Sequence, residues 1–218
     1  MRIMAIDNTK FCGIPVSEIK IKGINSDYKL FDITRKDFVF LNDMYKSVNL
    51  KNLVPNLKEK DFDIWNGLLK SAIESSKSTK RKVFIETCDN TPCGILNYSE
   101  EEKYLHLNYV IAFPNKPEYR VPCAGQIMMH ELFKRFLEGE RPFIKMQALK
   151  ESPYDPISKY LKLGYRMLGG DNYTEEMSIN KERALISYLR QNDFIFTRPL
   201  LNQPEQDLSK TVKLLCDA

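Results

Sequence analysis

The 218-residue sequence is poor in histidine, tryptophan and glycine, and it lacks any long apolar run. The two histidines, His106 and His130, and the five scattered cysteines form no C-x-x-C pair and no spacing typical of a zinc site. No apolar stretch approaches the roughly eighteen residues of a membrane span. Residues 1–7 do not resemble a secretory signal, because charged residues interrupt the apolar stretch too early. We therefore expect a cytoplasmic protein with no metal and no membrane contact.

The net charge and the length of the chain restrict the possible classes of protein further. A formal net charge of +4 is mild for this length and argues against a nucleic-acid partner, which usually requires a concentrated basic face. The hydrophobic share of 43% and the charged share of 28% are ordinary for a globular protein. A chain of this size fits one domain and buries about 70 to 75% of its unfolded surface.

The periodicity of apolar residues predicts a mixed order of helices and strands. Thr34 and Asp37 form a capping-box variant before a first helix with apolar positions Phe38, Leu41, Tyr45 and Val48. A second helix follows at about 58–76. We then expect strands at 82–88, 92–98 and 103–113, a helix at 123–138, a strand at 142–149, a helix from an N-cap at Ser152-Pro153 to Leu163, and strands at 165–168 and 173–179. This order predicts an α/β fold of three layers around one mixed sheet.

One segment predicts an anion site. Residues 120–126, Arg-Val-Pro-Cys-Ala-Gly-Gln, join the apolar alternation of Leu105, Leu107, Tyr109 and Ile111 to the start of the 123–138 helix. The first N–H groups of a helix have no intrahelical partner and carry partial positive charge, so they attract a phosphate. Small residues at this point let the backbone approach the anion.

Four ordered segments resemble the GNAT family of N-acetyltransferases over residues 28–180. Residues 120–125 resemble the family's R/Q-x-x-G-x-G/A acyl-CoA pyrophosphate loop, and 160–165 resemble its Y-x-K-L-G-F helix ending, where Gly164 suits a left-handed C-cap. Residues 33–38 resemble the first strand entering the first helix, and 86–96 resemble the second and third strands. The resemblance implies a GNAT-like fold, acetyl-CoA as co-substrate and an amine acceptor, either a small molecule or a protein. Residues 1–27 would add a strand or hairpin, and residues 181–218 a helical tail that packs on the domain or on a second subunit of a homodimer.

The resemblance also implies site residues. Acyl-CoA contacts fall on the loop (Arg120, Val121, Cys123, Ala124, Gly125, Gln126), on the preceding strand (Val110, Ile111, Ala112) and on Ser152, where the family often has an asparagine. Tyr160 matches the tyrosine that acts as general acid to the CoA thiolate. The sequence departs from the family's loop pattern at two positions. Cys123 stands where the family usually has glycine, and Pro122 removes a backbone N–H.

The general base stays open at the level of sequence. His106 and Asn108 would share one face of the strand before the loop, and Glu86 lies near the end of an earlier strand. The third alternative is water or desolvation alone. A different reading of the whole chain is a catalytically inactive GNAT-fold module that binds CoA or a protein partner, favoured by Cys123 and Pro122.

Overall fold

A single mixed β-sheet forms the centre of the protein. The computed structural model describes residues 13–47, 58–78, 80–88, 91–112, 123–152 and 154–200. Its strands are β1 (Ile14–Ile21), β2 (Tyr28–Asp32), β3 (Arg81–Cys88), β4 (Thr91–Glu100), β5 (Leu105–Ala112), β6 (Phe143–Leu149), β7 (Arg166–Gly170), β8 (Thr174–Asn180) and β9 (Ile195–Pro199). They lie in the order β7-β8-β6-β5-β4-β3-β2-β1-β9. Among the described strands, only the β5–β6 pair is parallel, and the chain between these two strands contains a helix, as parallel neighbours require.

Helices cover both faces of the sheet. They are α1 (Phe38–Ser47, preceded by a 3₁₀ turn at Arg35–Asp37), α2 (Glu59–Ser75), α3 (Ala124–Glu138), α4 (Pro156–Lys162) and α5 (Lys181–Asn192). One apolar core joins α1 and α2 to the sheet, around Leu41, Trp65 and Ile95. A larger core joins α3, α4 and α5 to the opposite face, around Phe133 and Tyr165. The expected three-layer α/β fold with a mixed sheet is confirmed.

The α3 helix is held to the sheet by an almost continuous apolar face. Leu132, Phe133 and Phe136 are fully buried, and burying each such side chain contributes about 1.5 to 3 kcal/mol. An adjacent side of α3 packs on α5, where His130 Nε2 lies 2.7 Å from Asn192 Oδ1 and the imidazole ring stacks on Tyr188 at 4.5 Å. These contacts fix the axis of α3, and therefore the position of its N-terminus.

The chain ends of the described region join the same sheet. β1 pairs with β2 on one side and with β9 on the other, so the segment after α5 returns to extend the sheet beyond β1. Among the described helices, none has both the length and the apolar character to cross a bilayer.

Two predicted helix starts have different outcomes. The capping box is confirmed: the Thr34 N–H and hydroxyl donate to Asp37 Oδ2 at 2.9 and 2.7 Å. The predicted N-cap at Ser152 is wrong. α4 begins at Pro156, and Asp155 is its N-cap, with a carboxylate that accepts from the Ser158 N–H at 3.2 Å. A carboxylate directly before a proline satisfies the helix terminus better than a hydroxyl three residues earlier. Val48 and Pro153 lie outside the described residues.

A bulge in β5 contradicts the expected alternation along that strand. Asn97 and Tyr98 of β4 pair with Tyr109 and Leu107, so Asn108 is an extra residue in the ladder. One inserted residue reverses which face the following side chains occupy. Leu107 therefore belongs to the core beneath α3, whereas Tyr109 packs with the core beneath α2. The apolar alternation of Leu105, Leu107, Tyr109 and Ile111 therefore does not place all four side chains on one face of the sheet.

Candidate active site

A cavity opens where β5 and β6 separate. The two parallel strands pair at Leu105–Ile144, His106–Lys145 and Leu107–Met146, and the described ladder ends there. Beyond this point each strand continues to pair with its other neighbour, β5 with β4 and β6 with β8. The divergence leaves a cavity of about 530 Å³ lined by residues of β5, β6, α2, α3 and α4. The edge of β5 that faces this cavity therefore has backbone groups available for a ligand.

The N-terminus of α3 forms one end of the cavity. Cys123, Ala124, Gly125 and Gln126 all line it. Cys123 is the N-cap with φ +61° and ψ 7°, and its carbonyl accepts the first helical bond, from the Ile127 N–H at 2.9 Å. The three N–H groups before Ile127 thus lie at the helix end that attracts anions. A Cβ on Gly125 would meet nothing within 4 Å, so the space beside this turn is open.

Cys123 occupies a left-handed conformation that normally favours glycine. The motif that residues 120–125 resemble has glycine at this position, and the left-handed conformation explains that preference. Arg120 and Val121, the other loop residues expected to contact acyl-CoA, lie outside the described residues, as does Pro122.

Tyr160 projects from α4 into the same cavity. It is 8% exposed and lines the cavity, while its ring meets the edge of Tyr165 at 5.5 Å. A C-terminal Schellman motif holds it: the Tyr165 N–H donates to the Tyr160 carbonyl at 3.0 Å, and the Gly164 N–H donates to the Leu161 carbonyl at 3.0 Å. Gly164 has φ +93°, so the predicted left-handed C-cap is confirmed. Burial raises the pKa of the Tyr160 hydroxyl above its ordinary value, so it is protonated at neutral pH.

Further predicted contact residues lie between these two groups. Val110, Ile111 and Ala112 line the cavity along the edge of β5 that pairs with no described strand. Ser152 lines it from the segment after β6, where its Oγ accepts weakly from the Tyr154 N–H at 3.4 Å. The structure thus brings together the α3 terminus, the β5 edge, Ser152 and Tyr160.

The two candidate bases do not line the cavity. His106 lies where β5 still pairs with β6, opposite Lys145 and near the Tyr104 ring at 6.2 Å. Glu86 is 0% exposed and packs between the sheet and α3: a Cβ on Gly94 would lie 3.3 Å from Glu86 Oε2 and 2.8 Å from Met128 Sδ. Burial raises the pKa of Glu86 well above its ordinary value, partly opposed by the Cys93 side chain. The carboxyl is therefore a weaker acid than an exposed glutamate, and it does not line the cavity.

Sequence reasoning missed the opposite end of the cavity. Trp65 and Leu68 of α2, Tyr154 and Lys159 all line it. Trp65 is also a core residue, 5% exposed. The available signal was the proximity in sequence of Tyr154 and Lys159 to Tyr160. Among the described residues, no three His, Cys, Asp or Glu side chains are grouped as metal ligands could be.

Solved structures share this fold at low sequence identity. The chain is similar to the PaiA N-acetyltransferase from Thermoplasma acidophilum in complex with coenzyme A (16% identity, 70% of this chain and 98% of that chain, TM-score 0.51). It is also similar to FdhC, a nucleotide-linked sugar GNAT (13% identity, 85% and 98%, TM-score 0.54), and to aminoglycoside 6'-acetyltransferase type Ii (14% identity, 70% and 96%, TM-score 0.52). No protein-family model and no curated protein matches the sequence. The chain therefore has the GNAT fold.

Proposed function

We propose that this chain is an acyl-CoA-dependent N-acyltransferase that moves an acetyl group from acetyl-CoA to a primary amine by direct transfer. The observation that carries the proposal is the cavity at the separation of β5 and β6, which joins the N-terminus of α3 to Tyr160. The cavity joins an anion-binding helix end, a β5 edge that pairs with no described strand, and a protonated hydroxyl. These match three groups of an acyl-CoA thioester: the pyrophosphate, the thioester carbonyl and the sulfur. The GNAT fold of the chain supports the same reading.

The α3 end of the cavity would bind the pyrophosphate. Its N–H groups supply donors without a side-chain charge, and the open space beside Gly125 admits the phosphate oxygens. The β5 edge at Val110–Ala112 would hold the thioester, and one of its N–H groups would donate to the carbonyl oxygen as negative charge develops there. Removing one such donor typically costs about 10² to 10³-fold in rate.

Transfer proceeds as the amine nitrogen attacks the thioester carbonyl carbon, the carbon–sulfur bond breaks, and the nitrogen loses a proton. Tyr160 would donate a hydrogen bond to the departing sulfur. Full proton transfer from a phenol of ordinary pKa about 10 to a thiolate of pKa about 8.5 is uphill by about 2 kcal/mol, and burial raises the Tyr160 pKa further. Tyr160 therefore acts as a donor that stabilises the thiolate, and the proton lost by the amine neutralises the sulfur in the end.

The acceptor amine must lose a proton, and the positions of the two candidate bases favour desolvation or water as the route. His106 does not line the cavity, and Glu86 is buried on the side of α3 with a raised pKa. An amine with a pKa of about 10.4 in water costs roughly 4 to 5 kcal/mol to deprotonate at neutral pH, and an apolar site reduces that cost by destabilising the ammonium.

The alternative is a catalytically inactive GNAT-fold module that binds CoA or a protein partner, and Cys123 is the residue that favours it. The test is thiol release from acetyl-CoA with a panel of amines, amino acids and peptides, read beside the acetyl-CoA-induced shift in melting temperature. Thermal stabilisation with turnover supports the enzyme. Stabilisation without any product supports the module, and no stabilisation refutes both acyl-CoA readings.

A further inference from the structure

The end of the cavity away from α3 is built from aromatic and apolar side chains. Trp65 and Leu68 come from α2, Tyr109 and Ile111 from β5, and Tyr154 from the segment before α4. All five belong to, or pack against, the core beneath α2. Tyr109 and Ile111 reach this side because the Asn108 bulge reverses their direction. The bulge thus gives the cavity an aromatic and apolar wall on the side of α2, distinct from its α3 end.

The charged side chains among the described lining residues are both basic: Lys159 and Lys162 of α4. One carboxylate faces them from the N-cap of the same helix: the pKa of Asp155 is lowered by hydrogen bonds from Ser158 and further by the charges of these two lysines. Lys159 Nζ lies 5.8 Å from the centroid of the Tyr154 ring, so its charge stands directly beside the aromatic wall. The neighbouring carboxylate of Glu151 is exposed and forms an ion pair with Lys60 at 2.7 Å.

These surroundings determine the form in which an amine binds. Apolar walls destabilise an ammonium relative to the neutral amine, and a nearby lysine acts in the same direction because the charges repel. A second or third ammonium group on the same molecule is attracted by aromatic faces but repelled by Lys159, whose own ammonium already lies over the Tyr154 ring. A flat apolar body, in contrast, gains contact area on Trp65 and Tyr154.

We propose that the acceptor is a monoamine with a flat apolar body, bound in its neutral form against Trp65 and Tyr154, and that Lys159 discriminates against polycationic amines. This inference rests on the proposed N-acyltransferase function and names the acceptor class. It also assigns the loss of the amine proton to the cavity itself, without a carboxylate or histidine base. Lys159 is here a specificity-determining residue.

The sequence provides a direct probe, since Trp65 is its only tryptophan. Protein saturated with CoA is titrated with 2-phenylethylamine and, separately, with spermidine, while tryptophan fluorescence is recorded. We expect a saturable change with 2-phenylethylamine and a Kd at least about tenfold higher for spermidine. Equal affinities, or tighter spermidine binding, would overturn the inference. Because this measurement needs no turnover, it reads acceptor binding even if the chain is the inactive module.

Charge reversal tests the role of Lys159. With acetyl-CoA as donor, we expect the wild type to have a kcat/KM for 2-phenylethylamine at least about tenfold above that for spermidine, and Lys159→Glu to reduce this ratio by about tenfold or more. Lys70→Glu is the matched control, because Lys70 is exposed on α2 and does not line the cavity. An unchanged ratio in Lys159→Glu, with CoA affinity intact, would refute the assigned role. Transfer to spermidine in preference to 2-phenylethylamine would leave the acyltransferase standing and overturn the acceptor class, whereas no transfer to any amine would overturn the enzyme itself.

Discussion

Replacing Tyr160 with phenylalanine removes one hydroxyl from the cavity and little else. The ring contact with Tyr165 at 5.5 Å and the Schellman hydrogen bonds of the backbone do not involve the hydroxyl. The described residues include no hydrogen-bond acceptor for it, so its loss leaves no described partner unsatisfied. We therefore expect the melting temperature and the affinity for CoA to change little.

The rate should respond strongly. A hydrogen bond to a charged group contributes about 1.5 to 3 kcal/mol, and the thiolate carries full charge only as the carbon–sulfur bond breaks. A loss of about 2.7 kcal/mol corresponds to roughly a hundredfold lower kcat. The measurement is steady-state thiol release with the best acceptor, with the KM for acetyl-CoA determined in parallel.

Tyr165→Phe is the matched control. Tyr165 is 1% exposed, and its buried hydroxyl has no hydrogen-bond partner among the described residues. Removing an unsatisfied buried hydroxyl is neutral or stabilising, so this variant should keep the wild-type rate. If Tyr160→Phe also stays within about threefold of the wild-type kcat, the hydroxyl does not stabilise the thiolate and the tyrosine is structural.

Three further outcomes follow from the geometry. Gly125→Glu should abolish the rise in melting temperature that acetyl-CoA induces. With acetyl-CoA at a hundredfold excess over its Kd, that rise reflects about 2.7 kcal/mol of stabilisation. Gly67→Glu, at an open position of α2, should preserve the rise. Glu86→Gln should flatten the pH dependence of the unfolding free energy. In the wild type the pKa of Glu86 is raised on folding, so the unfolding free energy falls as the pH rises above about 4.5. The fall is up to about 1.4 kcal/mol per pH unit until the carboxyl of the folded protein ionises. Parallel urea-unfolding profiles for Glu86→Gln and the wild type between acid and neutral pH would contradict that assignment. Gly164→Ala should lower the urea midpoint by the equivalent of about 1 to 2 kcal/mol, because φ +93° is strained for alanine. The added Cβ has ordinary contacts at 3.5 Å, so backbone strain is the expected cause. An unchanged midpoint would show that the cap relaxes.

Local signals in the sequence predicted the features that local chemistry decides. The Thr34–Asp37 capping box and the left-handed cap at Gly164 each depend on residues within a few positions of one another, and both are present. The start of α3 was predicted within a residue for the same reason. Tyr160 reaches the cavity because the Gly164 cap fixes the end of its helix.

Features that depend on long-range packing could not be predicted in this way. The bulge at Asn108 changes one pairing and leaves no mark on composition or periodicity, yet it moves Tyr109 to the opposite core. Glu86 is buried because Met128, forty-two positions away in the sequence, packs over its strand. The aromatic wall joins α2 to the segment before α4, and no local pattern connects them. The N-cap of α4 differs from these cases, since the pair Asp155-Pro156 was a readable signal.

The geometry at Cys123 bears on the choice between enzyme and inactive module. The sequence suggested a damaged phosphate loop because a cysteine replaces the usual glycine. At φ +61° the cysteine nevertheless adopts the left-handed conformation that glycine would adopt, at a cost of about 1 to 3 kcal/mol. The surrounding packing therefore imposes the turn that the glycine would otherwise permit, and the N–H groups of α3 still face the cavity. Since the substitution costs folding stability and leaves the donors in place, it is a weak argument against acyl-CoA binding, and the case for an inactive module then depends on turnover alone.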